Sequence, residues 1–261
     1  MLEFLFPKKC IFCERALPAG AAIEVCAPCA GSLPLFAGDY LMESGRAPND
    51  RGCDRVICAL RYSGTVRAAL ARYKFRARRE YGHTFAALLC EKIRRVTAAA
   101  PGDGASGVGG AGCPPAIPSA PLAAPSIPAS MPAHALALAP VFDLVACVPL
   151  SRSRARERGY NQAAVVAAGV AKYFEVPFAG RLLLRDEQAL RQSSLRLAER
   201  RANASAAFRI TAADAFARAL SGKRVLLVDD IATSLSTLNA CAAALKGHGA
   251  ACVIGAVVAS P

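Results

Sequence analysis

The sequence predicts an α/β protein, a doubly wound and mostly parallel sheet covered by helices, with a small cysteine ribbon ahead of it. Three observations predict this. Val225 to Val228 is a continuous apolar run, and so is most of Asp143 to Leu150, DLVACVPL. A parallel strand covered on both faces reads this way, whereas a strand with one wet face alternates. Each run leads into a turn and then into apolar residues at helical spacing, and Cys10-x-x-Cys13 is followed after twelve residues by Cys26-x-x-Cys29.

Composition sets the outer bounds. At 261 residues the chain is long enough to bury a sizeable core. The 32 basic and 19 acidic residues give a formal charge of +13, which favours polyanionic ligands such as pyrophosphate or nucleic acid without choosing between them. The opening MLEFLFPKK has an acidic residue and only a short apolar run, so it does not read as a secretory signal. The longest apolar candidate, in the 163 to 174 region, is interrupted by Lys172. A cytoplasmic location is the expectation.

In chain order, residues 1–50 read as a ribbon segment. Thiolates in two such pairs enclose a tetrahedral metal, and all-cysteine ligation predicts a structural zinc on Cys10, Cys13, Cys26 and Cys29. A redox pair, or four unrelated buried cysteines, is the alternative. Cys53, Cys58, Cys90, Cys113, Cys147, Cys241 and Cys252 lack this spacing and read as small buried hydrophobes. His83, His134 and His248 stand apart and receive no catalytic role.

Residues 51–261 read as the α/β domain. A strand from Val56 to Tyr62 precedes a helix carrying Val66, Leu70 and Tyr73, and a second helix over about 81–96 points Phe85, Leu88, Leu89, Ile93 and Val96 inward. Lys74, Arg76, Arg78 and Arg79 between them read as a solvated surface, or as charge presented to a polyanion. From 101 to 140 the composition turns to Pro, Ala, Gly and Ser, which predicts a flexible insert. After Pro149 comes a basic loop with Arg152, Arg154, Arg156 and Arg158 at alternate positions, then a helix from Gln162 to Tyr173. A basic loop at the carboxyl end of a parallel strand lies where open α/β sheets bind ligands.

The last strand–turn–helix is the richest in chemistry. Val225 to Val228 ends at Asp229 and Asp230, and Thr233, Ser234, Leu235, Ser236 and Thr237 lead into Leu238, Cys241, Ala242 and Leu245. A turn entering a helix directs backbone N–H groups and the positive dipole end at one spot, which suits a phosphate. The carboxylates would repel that phosphate, so they suit sugar hydroxyls or hydrated magnesium beside it. In the plainer alternative the two aspartates cap a turn and Thr237 N-caps the helix.

VLLVDDIATSLST resembles the phosphoribosyl pyrophosphate motif of type I phosphoribosyltransferases, with Thr233, Ser234 and Thr237 matching and Leu235 where that family has glycine. Leu235 in place of that glycine is expected either to crowd a phosphate or to hold the loop back from it, with Ser234 and Ser236 hydroxyls compensating in part. The chain is also similar to ComF-type competence proteins through VPL, Arg158, Gly159, Asn161 and Gln162, through Arg185, Gln192, Leu195, Arg200 or Arg201, Asn203 and Phe208, and through Tyr62-Ser63-Gly64, Tyr73-Lys74-Phe75 and the four-cysteine ribbon.

These resemblances imply a type I phosphoribosyltransferase fold, with the Arg185 to Asn203 segment as a hood. They imply that Asp229 and Asp230 are the catalytic pair holding ribose hydroxyls, and that Thr233, Ser234, Leu235, Ser236 and Thr237 cradle the terminal phosphate. Leu150, Ser151 and Arg152 would contact the substrate's pyrophosphate, and Arg158 and Asn161 would also bind the substrate. The implied chemistry is transfer of phosphoribosyl from phosphoribosyl pyrophosphate and magnesium to a nitrogen nucleophile. The implied alternative is a non-enzymatic component of DNA uptake that binds single-stranded DNA or a nucleotide alongside uptake proteins. Tyr73, Phe75 and Tyr160 would then be the stacking candidates.

Overall fold

The computed structural model describes residues 7–18, 20–21, 23–38, 42–43, 52–76, 78–98, 141–186, 207–211 and 215–261. The predicted insert at 101–140 and most of the predicted hood lie outside the described residues. Eight strands are present among those described: β1 (Met42–Glu43), β2 (Arg55–Arg61), β3 (Leu144–Cys147), β4 (Phe178–Ala179), β5 (Leu183–Arg185), β6 (Phe208–Ile210), β7 (Arg224–Ile231) and β8 (Cys252–Ser260). Six of them form one sheet in the order β1-β2-β8-β7-β3-β4, parallel throughout except for β1, and β5 pairs with β6 as a separate antiparallel ribbon.

The apolar runs are buried on both faces, as a helix-covered parallel sheet requires. Successive side chains along a strand point to opposite faces. Leu226 and Val228, with Ile254, Ala256 and Val258, accordingly enter one apolar cluster. Val225 and Leu227, with Val253 and Val257, enter the other.

On the first face lie α2 (Gly64–Phe75), α3 (Tyr81–Ala98) and α5 (Gln162–Tyr173); α7 (Ser236–Gly247) covers the second. The remaining helices are short: α1 (Ala27–Ser32), α4 (Arg152–Arg158) and α6 (Ala215–Arg218). Helices α3 and α5 approach closely because Gly169 has no side chain, and a Cβ built there would stand 2.6 Å from that of Ala86. Cys10, Ile11, Phe12, Leu17 and Leu33 of the amino-terminal segment are buried in the first cluster together with α2, α3 and α5. The sheet likewise takes in this segment, since β1 pairs with β2 and Leu35 bridges Leu60.

Four local expectations are corrected. The last-but-one strand does not stop at the acidic pair but runs on to Ile231, with Asp229 opposite Val257 and Ile231 opposite Ala259. The basic loop is instead a helix, α4, capped by Ser151 Oγ accepting from Arg154 N at 3.3 Å and closed by Gly159 at φ 73°. Like charges at i and i+4 disfavour such a helix, and the two caps offset them. Thr237 lies inside α7, and Leu235 takes the N-cap position. Cys252 is buried but disulfide-bonded, so it is not a plain apolar filler.

Candidate functional site

The carboxyl ends of β3 and β7 open into a cleft of about 400 Å³ lined by Lys74, Arg154, Arg158 and Arg185 on its basic side and by Asp229 and Asp230 on its acidic side. Asp229 and Asp230 are consecutive strand residues, so each inclines toward a different face of the sheet. Asp230 inclines to the face covered by α2, and there Lys74 Nζ stands 3.0 Å from its Oδ1, both side chains largely buried. Asp229 Oδ1 accepts from Asp230 N at 2.8 Å. Burial first, and then the neighbouring Asp230 charge, push the Asp229 carboxyl up to about 7, against the opposing pull of that N–H and of Lys74 and Arg154.

The loop after β3 is shaped by Asn161, the N-cap of α5. Its Oδ1 accepts from Ala163 N at 3.1 Å and its Nδ2 donates to Val148 O at 3.0 Å, so one amide fixes both the helix start and the strand end. Helix α4 then sorts the alternate arginines. At about 100° per residue, Arg154 and Arg158 share one side and Arg152 and Arg156 the other, and only the first pair lines the cleft. Arg158 Nη1 donates to Gln162 Oε1 at 3.2 Å. Among the described residues, Arg158 Nε, Gln162 Nε2 and Arg185 Nε are buried with no hydrogen-bond partner. Orphaned donors on three residues of one cleft suit an oxygen-rich ligand.

Of the residues singled out in the sequence, Leu150, Arg158, Asn161, Asp229, Asp230, Thr233, Ser234 and Thr237 line the cleft together. The other four do not line it. Ser151 caps α4, Arg152 sits on its far side, and Ser236 Oγ is 2.9 Å from Ser234 Oγ. Leu235 packs against the second apolar cluster. Its φ of −80° lies in a region open to any residue, so the loop does not use the left-handed conformation that would favour glycine. Helix α7 has no side-chain cap, so no capping side chain takes up its first-turn N–H groups.

Tyr62, Lys74, Arg154, Gln162 and Arg185 also line the cleft, with the backbone-flanking Val148, Pro149, Ala163 and Ile231. Of these, the sequence offered Arg154 as part of a basic, ligand-facing loop and Lys74 as charge for a polyanion, but gave Tyr62, Gln162 and Arg185 no place in the site. Lys74 read as a solvated surface or as charge presented to a polyanion, and its side chain is 16% exposed and ion-paired in the cleft. The available signal was its place in Tyr73-Lys74-Phe75, next to a residue of the buried helix face.

The four cysteine sulfurs of the ribbon lie within 4.8 Å of one another. Burial, followed by its three thiol neighbours, pushes the Cys29 thiol above the usual range. Four thiolates this close need a cation among them. The cluster therefore has the donor set and the spacing to hold a zinc ion, and it fits a zinc ribbon.

Residues 161–261 match the family model described as phosphoribosyl transferase domain. Over 102 residues the chain is 31% identical to competence protein F of Haemophilus influenzae, a stretch that covers 39% of this chain and 43% of that protein. A mostly parallel sheet that carries at its carboxyl edge, in the matched region, an acidic pair and a hydroxyl-rich loop is an α/β domain of the type I phosphoribosyltransferase fold. With its amino-terminal four-cysteine cluster, the chain carries that domain and resembles competence protein F over part of its length. The similarity spans less than half the length of that relative.

Proposed function

We propose that the cleft binds phosphoribosyl pyrophosphate together with magnesium, and that the domain transfers phosphoribosyl to a nitrogen nucleophile. The observation that carries this reading is the juxtaposition, in one cleft, of Asp229 and Asp230 with Lys74, Arg154, Arg158 and Arg185 and the Thr233 to Thr237 loop. A sugar bearing hydroxyls and phosphates has complementary parts.

Asp229 and Asp230 would accept from the ribose hydroxyls and stabilise the positive charge that develops at the anomeric carbon. Thr233, Ser234 and Thr237, with the first turn of α7, would donate to the terminal phosphate. Arg154 and Arg158 would face the diphosphate leaving group, with charge-assisted hydrogen bonds. The two carboxylates are the oxygen donors a hard cation takes, and magnesium, when bound with the diphosphate, would neutralise the leaving group. Zinc, held by Cys10, Cys13, Cys26 and Cys29, would be structural.

A titration of the zinc-loaded chain with phosphoribosyl pyrophosphate and magnesium tests the reading. Saturable binding is expected, abolished in the double variant Asp229→Asn with Asp230→Asn. Undiminished affinity in that variant would mean that the site has been placed wrongly. The formal charge of +13 and the name of the relative favour one further reading, a non-enzymatic role in competence through single-stranded DNA. That reading requires affinity for DNA that falls steeply with salt and does not depend on the acidic pair.

A further inference from the structure

Helix α2 faces two ways at its carboxyl end, toward the cysteine ribbon through Arg72 and toward the cleft through Lys74. Arg72 Nη2 donates to Ile11 O at 2.6 Å and to Phe12 O at 3.1 Å, the carbonyls of the two residues between Cys10 and Cys13. Its Nε stands 3.7 Å from Glu14 Oε1, an ion pair and not a hydrogen bond. The knuckle that presents those carbonyls is itself closed tightly, with Glu14 N donating to Cys10 O at 2.8 Å and Glu14 at φ 61°.

Two residues on, Lys74 lies about 200° around the helix from Arg72, and it pairs with Asp230 in the cleft. Tyr73 lies between them. Its ring is 5.4 Å from that of Phe85, which in turn is 6.4 Å from Phe12 of the knuckle. Its hydroxyl donates to Gln162 O at 2.9 Å, and its carbonyl accepts from the Tyr160 hydroxyl. A shift of this turn therefore moves Lys74 and loosens the start of α5 together.

We propose that Arg72 is a positioning residue through which the metal-clamped Cys10–Cys13 knuckle holds Lys74 against Asp230 and so sets the affinity of the cleft for its anionic ligand. Two aligned carbonyls on a guanidinium that is 13% exposed make a charge-assisted contact, which keeps its geometry only while the knuckle keeps its own. The coupling is reciprocal, since a ligand that needs Lys74 in place also favours the ordered knuckle. The ligand part rests on the function proposed above; the positioning part does not.

The test uses the zinc-loaded chain and three variants: Arg72→Gln, Arg72→Lys, and Arg67→Gln, which alters an exposed arginine on the same helix. Hydrogen exchange of residues 72–76 and affinity for phosphoribosyl pyrophosphate with magnesium are measured, after metal analysis establishes that zinc is retained. Arg72→Gln is expected to speed exchange and to weaken binding about tenfold. Arg72→Lys should recover part of both, because an ammonium reaches one carbonyl, and Arg67→Gln should change neither. Phosphoribosyl pyrophosphate should slow zinc loss to a chelator in the native chain but not in Arg72→Gln. Native-like exchange in Arg72→Gln, or an equal loss of affinity in Arg67→Gln, would overturn the proposal. Should no form bind phosphoribosyl pyrophosphate, the proposed function fails and the exchange data alone decide: faster exchange confined to Arg72→Gln supports the positioning role, and unchanged exchange removes it.

Discussion

Asp229 is the residue where the fold and the chemistry pull in opposite directions. Its carboxyl is pushed from the ordinary 3.8 to about 7 by burial and by Asp230, so at mildly acid pH the native chain keeps a proton that the unfolded chain has lost. The native state then binds more protons than the unfolded state across that window, and the contribution of this residue to stability falls as pH rises from about 4 to about 7 and stays level above. Asp229→Asn carries no charge to bury. Denaturant unfolding should show the variant gaining on the native chain between about pH 4 and about pH 7 and holding its gain above that, and a difference that is flat with pH would contradict the burial argument. Among the described residues, Asp230 has what Asp229 lacks, a cation at 3.0 Å, supplied by a helix far away in sequence. That pairing could not be read in the chain order. VDD announced two carboxylates at a strand end, but which one is neutralised depends on the strand continuing to Ile231 and so turning the two side chains to opposite faces.

Among the elements, the strands were the most legible and the turn geometry the least. The apolar runs at Val225 and Leu144 declared central parallel strands because only residues buried on both faces dispense with alternation. The helix over Arg152–Arg158 was obscured by its own composition, since four like charges read as loop unless the Ser151 and Gly159 caps are weighed against them. Leu235 was misleading in another way. Its mismatch with a glycine-containing motif suggested a loop held off the phosphate, but the backbone at φ −80° needs no glycine, and the side chain packs against the apolar cluster beneath α7. Leu235→Gly is therefore expected to lower stability by about 1 kcal/mol, through lost burial and added chain entropy, and to leave ligand affinity unchanged. Equilibrium unfolding and titration of the same variant would check both, and tighter binding would restore the steric reading. Gly169 is a stricter constraint. With Ala86 2.6 Å from a built Cβ, Gly169→Val must part α3 from α5 and should cost about 1 to 3 kcal/mol, measurable as a lower denaturation midpoint.

For the molecule as a whole, the telling fact is where the ribbon buries its apolar residues. The double Cys-x-x-Cys spacing reads as a small separate unit, but Cys10, Ile11, Phe12, Leu17 and Leu33 are buried in the same cluster as α2, α3 and α5. Phe12 meets Phe85 edge to face, and Arg72 reaches from α2 to the knuckle carbonyls. An all-cysteine metal site contributes its binding free energy to folding. In this arrangement that free energy supports one face of the main sheet as well as the ribbon. Cys26→Ser with Cys29→Ser, which removes two of the four ligands, should therefore abolish zinc retention and lower the thermal midpoint of the whole chain by more than about 5 °C. The transition should stay single, because the ribbon and the first-face helices share their buried contacts. Calorimetry with metal analysis on the native and double-serine chains checks this directly. Two separate transitions, with the larger one at the native temperature, would show that the ribbon melts alone and that its contacts with α2 carry little of the stability of the domain.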